Sequence, residues 1–140
     1  MKNFVTYTSA EFFPGPNMNL VIGPNGSGKS TIVCAICLGL GYPPAVLGRA
    51  TAVGDYVQHG KDAAEIEIEL AQENNKSIVI KRRIKREKNL STYYLNGTIF
   101  VTILFIYRKA RYSCKNTRTY GLLQYSNRQF MVAASWLLLI

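Results

Sequence analysis

The feature that most constrains this chain is an eight-residue segment, Gly-Pro-Asn-Gly-Ser-Gly-Lys-Ser at residues 23–30. It fits the spacing G-x-x-x-x-G-K-[ST] of a phosphate-binding loop, in which a strand enters the loop and a helix leaves it. The apolar run at 20–22 predicts a buried strand, and residues 30–40 predict the helix. The sequence therefore predicts an α/β fold built around this segment, which we call the phosphate-binding loop.

Each residue type in the phosphate-binding loop has a physical role. Glycines at 23, 26 and 28 allow dihedrals that turn successive N–H groups inward, and without a Cβ they let a phosphate approach closely. The N-terminus of the helix adds partial positive charge at the same point. In loops of this kind the lysine, here Lys29, reaches the β- and γ-phosphates, and the hydroxyl of Ser30 coordinates Mg²⁺.

The charge of the chain is unevenly distributed along its length. Residues 1–75 hold four Lys/Arg and seven Asp/Glu, a net charge of −3, whereas residues 76–140 hold thirteen Lys/Arg and one acid, a net charge of +12. This asymmetry suggests an anionic partner for the second half, with nucleic acid first, or else a solvated basic face. The segment 81–88, Lys-Arg-Arg-Ile-Lys-Arg-Glu-Lys, could accordingly be a nuclear-localisation signal, a DNA-facing patch or charged strand ends.

Two cysteines, Cys34 and Cys37, are spaced C-x-x-C within the predicted helix. Because that helix is apolar nearly all round, we expect both thiols to be buried in the core and not to serve a redox or zinc site. The longest apolar runs of the chain reach about 8 to 11 residues, which is too short to span a bilayer. We therefore expect a soluble, intracellular protein.

Short strands are predicted on both sides of the helix. Residues 4–7 and 11–13 look strand-like, and residues 65–70 alternate strictly, which predicts a half-buried strand with the three glutamates on its solvated face. Paired catalytic carboxylates are the alternative for those glutamates. An Asn74-Asn75 turn leads to strands at 77–84 and 90–95, and Asn96-Gly97 predicts a hairpin.

Several segments resemble the SMC (structural maintenance of chromosomes) ATPases over residues 1–98: MKNFVTY, NLVIGPNGSGKSTIVCAICLGLG, LGRA, VGDYVQHG and AEIEIEL. The resemblance implies a P-loop NTPase fold of the ABC/SMC head type, limited to the N-terminal lobe, with a mixed sheet containing antiparallel strands. It implies that Arg49 lies near nucleotide or DNA, although an ordinary surface arginine is the alternative. It also implies that ATP and Mg²⁺ are held by Gly23, Pro24, Asn25, Gly26, Ser27, Gly28, Lys29, Ser30 and Thr31, with Ser30 as the metal ligand.

The resemblance further implies a role in a larger assembly. In this family two heads sandwich ATP, and coiled-coil arms lead to a hinge. A second SMC protein and non-SMC subunits join a nuclear, chromosomal complex that holds DNA and serves recombination repair. Hydrolysis needs an acid for Mg²⁺ and a group that positions water. The family's Walker B pattern, signature motif and Q-loop are not found here, and neither Asp55 nor Asp62 fits.

We therefore expect the chain alone to bind ATP weakly and to hydrolyse it negligibly. The alternatives are a truncated, non-enzymatic fragment that binds DNA or the partner head, and a small P-loop kinase, for which neither an arginine-rich lid nor a second acid is found. Residues 99–140 contain no acid. We interpret them as a divergent basic and apolar tail, such as a retained intron or an alternative exon end, or otherwise as a basic nucleic-acid arm.

Overall fold

The computed structural model describes residues 1–15, 19–71, 77–100, 121–125, 128–132 and 137–139. Two 3-10 turns, Pro44–Leu47 and Val53–Tyr56, follow the helix. Within the described residues, no helix has the length and apolar character needed to cross a bilayer. In chain order the elements are β1 (Lys2–Phe4), β2 (Tyr7–Ser9), β3 (Asn19–Val21), α1 (Lys29–Gly39), β4 (Ala63–Ala71), β5 (Ser77–Lys85), β6 (Leu90–Leu95), β7 (Thr98–Phe100), β8 (Gly121–Tyr125), β9 (Arg128–Val132) and β10 (Leu137–Leu139).

An antiparallel sheet of six strands forms the main layer, in the order β2-β1-β4-β5-β6-β7. Along β4 the side chains alternate, with Ile66 buried and Glu67 and Glu69 exposed. The predicted half-buried strand with a solvated glutamate face is therefore confirmed. Parallel pairing occurs separately, between β3 and β10. The antiparallel and parallel pairings expected of a mixed sheet thus lie in different sheets, since β8 and β9 also pair antiparallel in a third.

Helix α1 packs directly against the sheet, and its apolar sequence explains why. The predicted burial of both helical cysteines is confirmed. At the end of the helix, a Cβ added to Gly39 would lie 2.5 Å from Ile68 Cδ1 and 2.9 Å from Ile66 Cγ2, so glycine permits the close approach of α1 to β4. The buried residues of α1 are Thr31, Ile32, Val33, Cys34, Ala35, Cys37, Leu38 and Gly39.

Strand β3, which leads into the phosphate-binding loop, differs from the prediction of a buried strand at 20–22. The strand spans Asn19–Val21, and the side chains of Leu20 and Ile22 are 47% and 74% exposed. Among the described residues, β3 pairs only with the three-residue β10. An apolar run indicates that burial of the strand would be favourable. Burial also requires a layer that covers the strand, and the described residues do not provide one over β3.

The N-terminal strands also differ from the prediction. Instead of one strand over 4–7, β1 ends at Phe4 and β2 begins at Tyr7, and the two form an antiparallel hairpin around the turn Val5–Thr6. Residues 11–13 form no strand. An apolar and β-branched run indicates extended backbone without showing where a tight turn interrupts it, which explains the first error.

The later part of the sheet follows its sequence signals. Strand β6 has the predicted bounds, and the hairpin to β7 turns at Asn96 and Gly97, whose φ angles are 47° and 83°. Both residues adopt the left-handed region that asparagine and glycine tolerate. The side chain of Asn96 also accepts a 2.9 Å hydrogen bond from the amide of Val79. The predicted Asn74-Asn75 turn and most of the tail at 99–140 lie outside the described residues.

The basic segment 81–88 is largely engaged within the molecule. The ammonium of Lys81 lies 3.0 Å from Glu65, and the guanidinium of Arg83 lies 3.7 Å from the same carboxylate. That ion pair, chiefly through the hydrogen bond from Lys81, lowers the pKa of Glu65. Arg86 donates to the carbonyls of loop residues Val57, Gln58 and Lys61. These contacts favour the interpretation as charged strand residues.

Arg82 is the exception in this segment, because it lies inside the core at 4% exposure. Its guanidinium donates to the carbonyl of Leu38 at 2.7 Å and twice to the hydroxyl of Ser91, at 3.1 and 2.9 Å, and lies over the ring of Tyr93 at 4.9 Å. Burial lowers the pKa of this guanidinium. Because Leu38 belongs to the last turn of α1, the cation faces the negative end of the helix dipole.

Candidate nucleotide-binding site

The phosphate-binding loop connects β3 to α1, as its sequence predicts. Gly26 and Gly28 have φ angles of 85° and 92°, values that side chains with a Cβ rarely adopt. Gly28 is the residue that caps the N-terminus of α1, and the amide of Thr31 donates to its carbonyl at 2.9 Å. A Cβ added at Gly26 would meet no atom within 4 Å. The loop is therefore open on the side of Gly26 and rests on other residues at Gly28.

The side chain of Lys29 folds back over this loop. Its ammonium donates to the carbonyl of Gly23 and, at 3.1 Å, to the carbonyl of Pro24. Asn25, Gly26 and Ser27 are exposed around it. The cation thus lies on the mouth of the loop and is bonded to neutral carbonyls. A phosphate oxygen would give it a stronger, charge-assisted partner.

The two residues that follow the lysine occupy different environments. Ser30 lies half-buried in the first turn of α1 and carries a hydroxyl of the hard oxygen type that Mg²⁺ prefers. Thr31 is 2% exposed, and its hydroxyl lies 3.3 Å from the hydroxyl of Thr6. The side chain of Thr31 therefore contacts the β1–β2 turn beneath the loop.

That turn supplies contacts that the sequence reasoning did not predict. The hydroxyl of Tyr7 donates a long hydrogen bond of 3.4 Å to the carbonyl of Ser27. A Cβ added at Gly28 would lie 2.8 Å from the Tyr7 hydroxyl and 3.0 Å from Thr6 Oγ1. The glycine is thus required by its neighbours as well as by its φ angle. The available signal was the segment MKNFVTY, which contains both residues.

The other candidate residues are not part of the phosphate-binding loop in sequence. Arg49 is exposed in the segment between the 3-10 turns. Burial raises the pKa of Cys34, and the positive charge of Arg49 lies close enough to offset part of that rise. Burial raises the pKa of Cys37 to about 12, as expected for a core thiol. His59 is exposed. Within the described residues, no cluster of three or more His, Cys, Asp or Glu side chains could hold a metal ion.

This loop geometry fits a nucleoside triphosphate with its metal ion. Gly26 and Gly28, though not Gly23, hold left-handed dihedrals, a lysine covers the mouth, a serine hydroxyl stands in the first turn, and the helix N-terminus follows at once. The family model described as AAA domain matches residues 1–133. The chain therefore belongs to the AAA domain family, and its fold is that of the N-terminal lobe of a P-loop ATPase head of the SMC type.

Comparison with individual proteins narrows this class. The chain is 53% identical over 91 residues to structural maintenance of chromosomes protein 5 of Schizosaccharomyces pombe. The aligned residues make up 65% of this chain and 8% of that protein. The protein of the same name from Arabidopsis thaliana is 46% identical over 99 residues, 70% of this chain and 9% of its own length. Structural maintenance of chromosomes protein 6 of S. pombe is 36% identical over 114 residues, 73% of this chain and 10% of its own length. The chain is thus an N-terminal head segment similar to that of protein 5.

A solved structure agrees with this assignment. It comes from a study of the ATP-driven dimerization and DNA-stimulated activation of SMC ATPases, and it superposes with a TM-score of 0.65 at 26% identity. The match covers 88% of this chain and 82% of that one. The chain spans about a tenth of the length of the curated relatives it matches.

Proposed function

We propose that this chain binds ATP and Mg²⁺ through residues 23–31, as the N-terminal part of the head of a chromosome-maintenance ATPase. The observation that carries the proposal is the phosphate-binding loop itself, where Lys29 lies over carbonyls of Gly23 and Pro24 at the start of the buried helix α1. Its family membership and the SMC ATPase neighbour support ATP as the nucleotide.

The roles of the residues follow from their positions. The amides of residues 25–30 would bind the phosphates, and Lys29 would exchange its two carbonyl partners for phosphate oxygens. The hydroxyl of Ser30 would hold Mg²⁺, whose charge would offset that of the phosphates. The amide of Thr31 already bonds to Gly28, so Thr31 contributes by keeping the first turn of α1 in place.

The complete activity needs more than this chain. Because neither aspartate of the sequence fits a Walker B position, we expect ATP binding without appreciable turnover. In the assembled protein the head pairs with the head of structural maintenance of chromosomes protein 6, and the matches to that protein support an SMC partner. We further propose that the assembled protein binds non-SMC subunits and DNA and that it acts in the nucleus on the chromosome. Its role there is recombination repair and chromatin organisation.

A titration of the 140-residue chain with a fluorescent ATP analogue, with and without Mg²⁺, tests nucleotide binding. We expect weak, saturable, Mg²⁺-dependent binding that weakens at least tenfold in Lys29→Ala, because a charge-assisted contact to phosphate is worth about 1.5–3 kcal/mol. Lys88→Ala is the matched control, since Lys88 is an exposed lysine on the turn between β5 and β6. Equal binding by the wild type and Lys29→Ala would contradict the proposed site.

DNA binding by the basic half is a separate part of the proposal. Lys85 and Lys88 are exposed, whereas Lys81 is paired with Glu65, so the first two are the better phosphate contacts. A salt titration of duplex DNA binding should lose about two units of slope in the double variant Lys85→Gln/Lys88→Gln. The Lys81→Gln variant should lose less of the salt-dependence slope than the double variant does. An unchanged slope in the double variant would remove this contact from the proposal.

A further inference from the structure

The turn between β1 and β2 has an unusual backbone. Val5 has a φ angle of 48°, in the left-handed region, which is a genuine outlier for a β-branched side chain. Glycine, asparagine or aspartate normally occupies such a turn position. A costly conformation of this kind persists only where the surrounding structure enforces it, and it points to a functional constraint.

The surrounding structure does enforce it. The amide of Val5 donates to the carbonyl of Tyr56 at 2.9 Å, and the amide of Gln58 donates to the carbonyl of Asn3 at 2.8 Å. The fully buried ring of Phe4 stacks on Tyr56, with centroids 6.0 Å apart and planes 14° from parallel. The turn is therefore held from behind by the segment around the second 3-10 turn.

On its other side the turn contacts the phosphate-binding loop. The hydroxyls of Thr6 and Thr31 lie 3.3 Å apart, and the hydroxyl of Tyr7 bonds to the carbonyl of Ser27 at 3.4 Å. The contact at Gly28 is so close that a methyl group there would displace the side chain of Tyr7 or Thr6. Both contacts reach the segment where the loop becomes helix α1.

We propose that the strained turn, Val5 to Tyr7, is a positioning element that holds the phosphate-binding loop in the shape that accepts phosphate. This inference rests on the proposed ATP-binding function. The backbone of Val5, held at its φ angle by the bond to Tyr56, sets the direction in which Thr6 and Tyr7 leave the turn, and these two side chains then contact Thr31, Ser27 and Gly28. None of the three turn residues is a catalytic residue, because each acts through the loop.

Three variants of the full 140-residue chain test the proposal. Thr6→Val removes the hydroxyl contact while keeping the side-chain volume, Tyr7→Phe removes only the hydrogen bond, and Val5→Gly removes the backbone constraint. The matched controls are Thr8→Val, which removes a hydrogen bond to Gln58 elsewhere on the hairpin, and Asn3→Gly, which introduces glycine at another φ of 48°. Hydrogen exchange of the loop and affinity for a fluorescent ATP analogue are measured for each.

We expect the three variants to exchange the amides of residues 26–31 about two to ten times faster than the wild type, and to bind the analogue more weakly by a similar factor. Thr6→Val and Tyr7→Phe each lose about one hydrogen bond, and Val5→Gly makes the backbone of the turn more flexible. Exchange in β4 and β5 should not change, whereas a merely structural role would accelerate exchange in the whole sheet. Both controls should match the wild type.

Two other outcomes separate this inference from the proposed function. If the wild type binds ATP in a Lys29-dependent way and all three variants match it in affinity and loop exchange, the positioning element is refuted and the binding site stands. If the wild type does not bind ATP while loop exchange still rises in the variants, the proposed function fails and the mechanical role of the turn is supported.

Discussion

Replacing Gly39 with alanine tests how closely α1 must approach the sheet in order to carry the phosphate-binding loop. The added Cβ would lie 2.5 Å from Ile68 Cδ1 and 2.9 Å from Ile66 Cγ2. Ile66 is 2% exposed and has no room to move, whereas half-buried Ile68 can rotate its terminal methyl. Overpacking of this kind costs about 1–3 kcal/mol. Alanine regains at most about 1 kcal/mol of helix propensity, and less at the last residue of a helix.

The overpacking cost exceeds the propensity gain, so we expect a net loss of about 1 kcal/mol in the free energy of unfolding, seen as a fall of roughly 3 to 6 °C in Tm. Urea and thermal denaturation followed by circular dichroism measure this loss. Gly15→Ala is the control, because a Cβ at Gly15 would make only an ordinary contact of 3.7 Å.

A double-mutant cycle with Ile68→Val decides whether the stated contact is the cause. The shorter side chain removes the Cδ1 atom that the new Cβ would meet. Alone it should cost about 0.5–1.5 kcal/mol, and beside Gly39→Ala it should cost less or be favourable, which gives a coupling of about 0.5 kcal/mol or more. Additive losses, or a Gly39→Ala variant as stable as the wild type, would refute the close-approach argument.

Further predictions concern the buried cation, one ion pair and one thiol. Arg82→Leu removes the three hydrogen bonds to the Leu38 carbonyl and the Ser91 hydroxyl but also removes a desolvated charge, so we expect a net loss of about 2 kcal/mol in urea denaturation; no loss would contradict the role assigned to the guanidinium. Because Lys81 lowers the pKa of Glu65 in the folded state, this pair's contribution is present above the unfolded pKa, near 4.5, and is lost as the pH falls through the lower folded pKa. The wild type should therefore lose more stability on acidification than Glu65→Gln, and parallel pH profiles would refute the pair's role. With its pKa raised to about 12, buried Cys37 should resist alkylation by iodoacetamide at pH 8 until the chain unfolds. Rapid alkylation of Cys37 in the native chain, found by mass spectrometry, would contradict this prediction.

Local signals were sufficient where short segments determine their own structure. The spacing of the glycines and Lys29 predicted the loop, and Asn96-Gly97 predicted a hairpin whose backbone angles agree. The strict alternation of β4 predicted which face is buried. In each case the conformational preference of the residues and the final structure coincide, so no distant contact was needed to choose between alternatives.

Long-range contacts account for what the sequence did not show. The burial of Arg82 could not be read from a run of basic residues, because it depends on α1 ending beside β5 with the carbonyl of Leu38 within reach of the guanidinium. The contacts of Thr6 and Tyr7 with the phosphate-binding loop join residues 20 to 25 positions apart. The turn that makes them was missed, since Val5 has no sequence signature of a positive φ.

The exposed side of β3 and the chemistry that ATP hydrolysis requires lead to one further expectation. Leu20 lies in the strand that leads into the phosphate-binding loop and Ile22 directly follows it, and both are about half or more exposed in the described part of the chain. Apolar side chains at this position favour a covering layer, which would lie beside the loop because the strand does. An acid for Mg²⁺ and a group to position water must approach from nearby. We therefore expect the element that covers β3 to supply them, so that burial of the strand and completion of the ATPase site occur together.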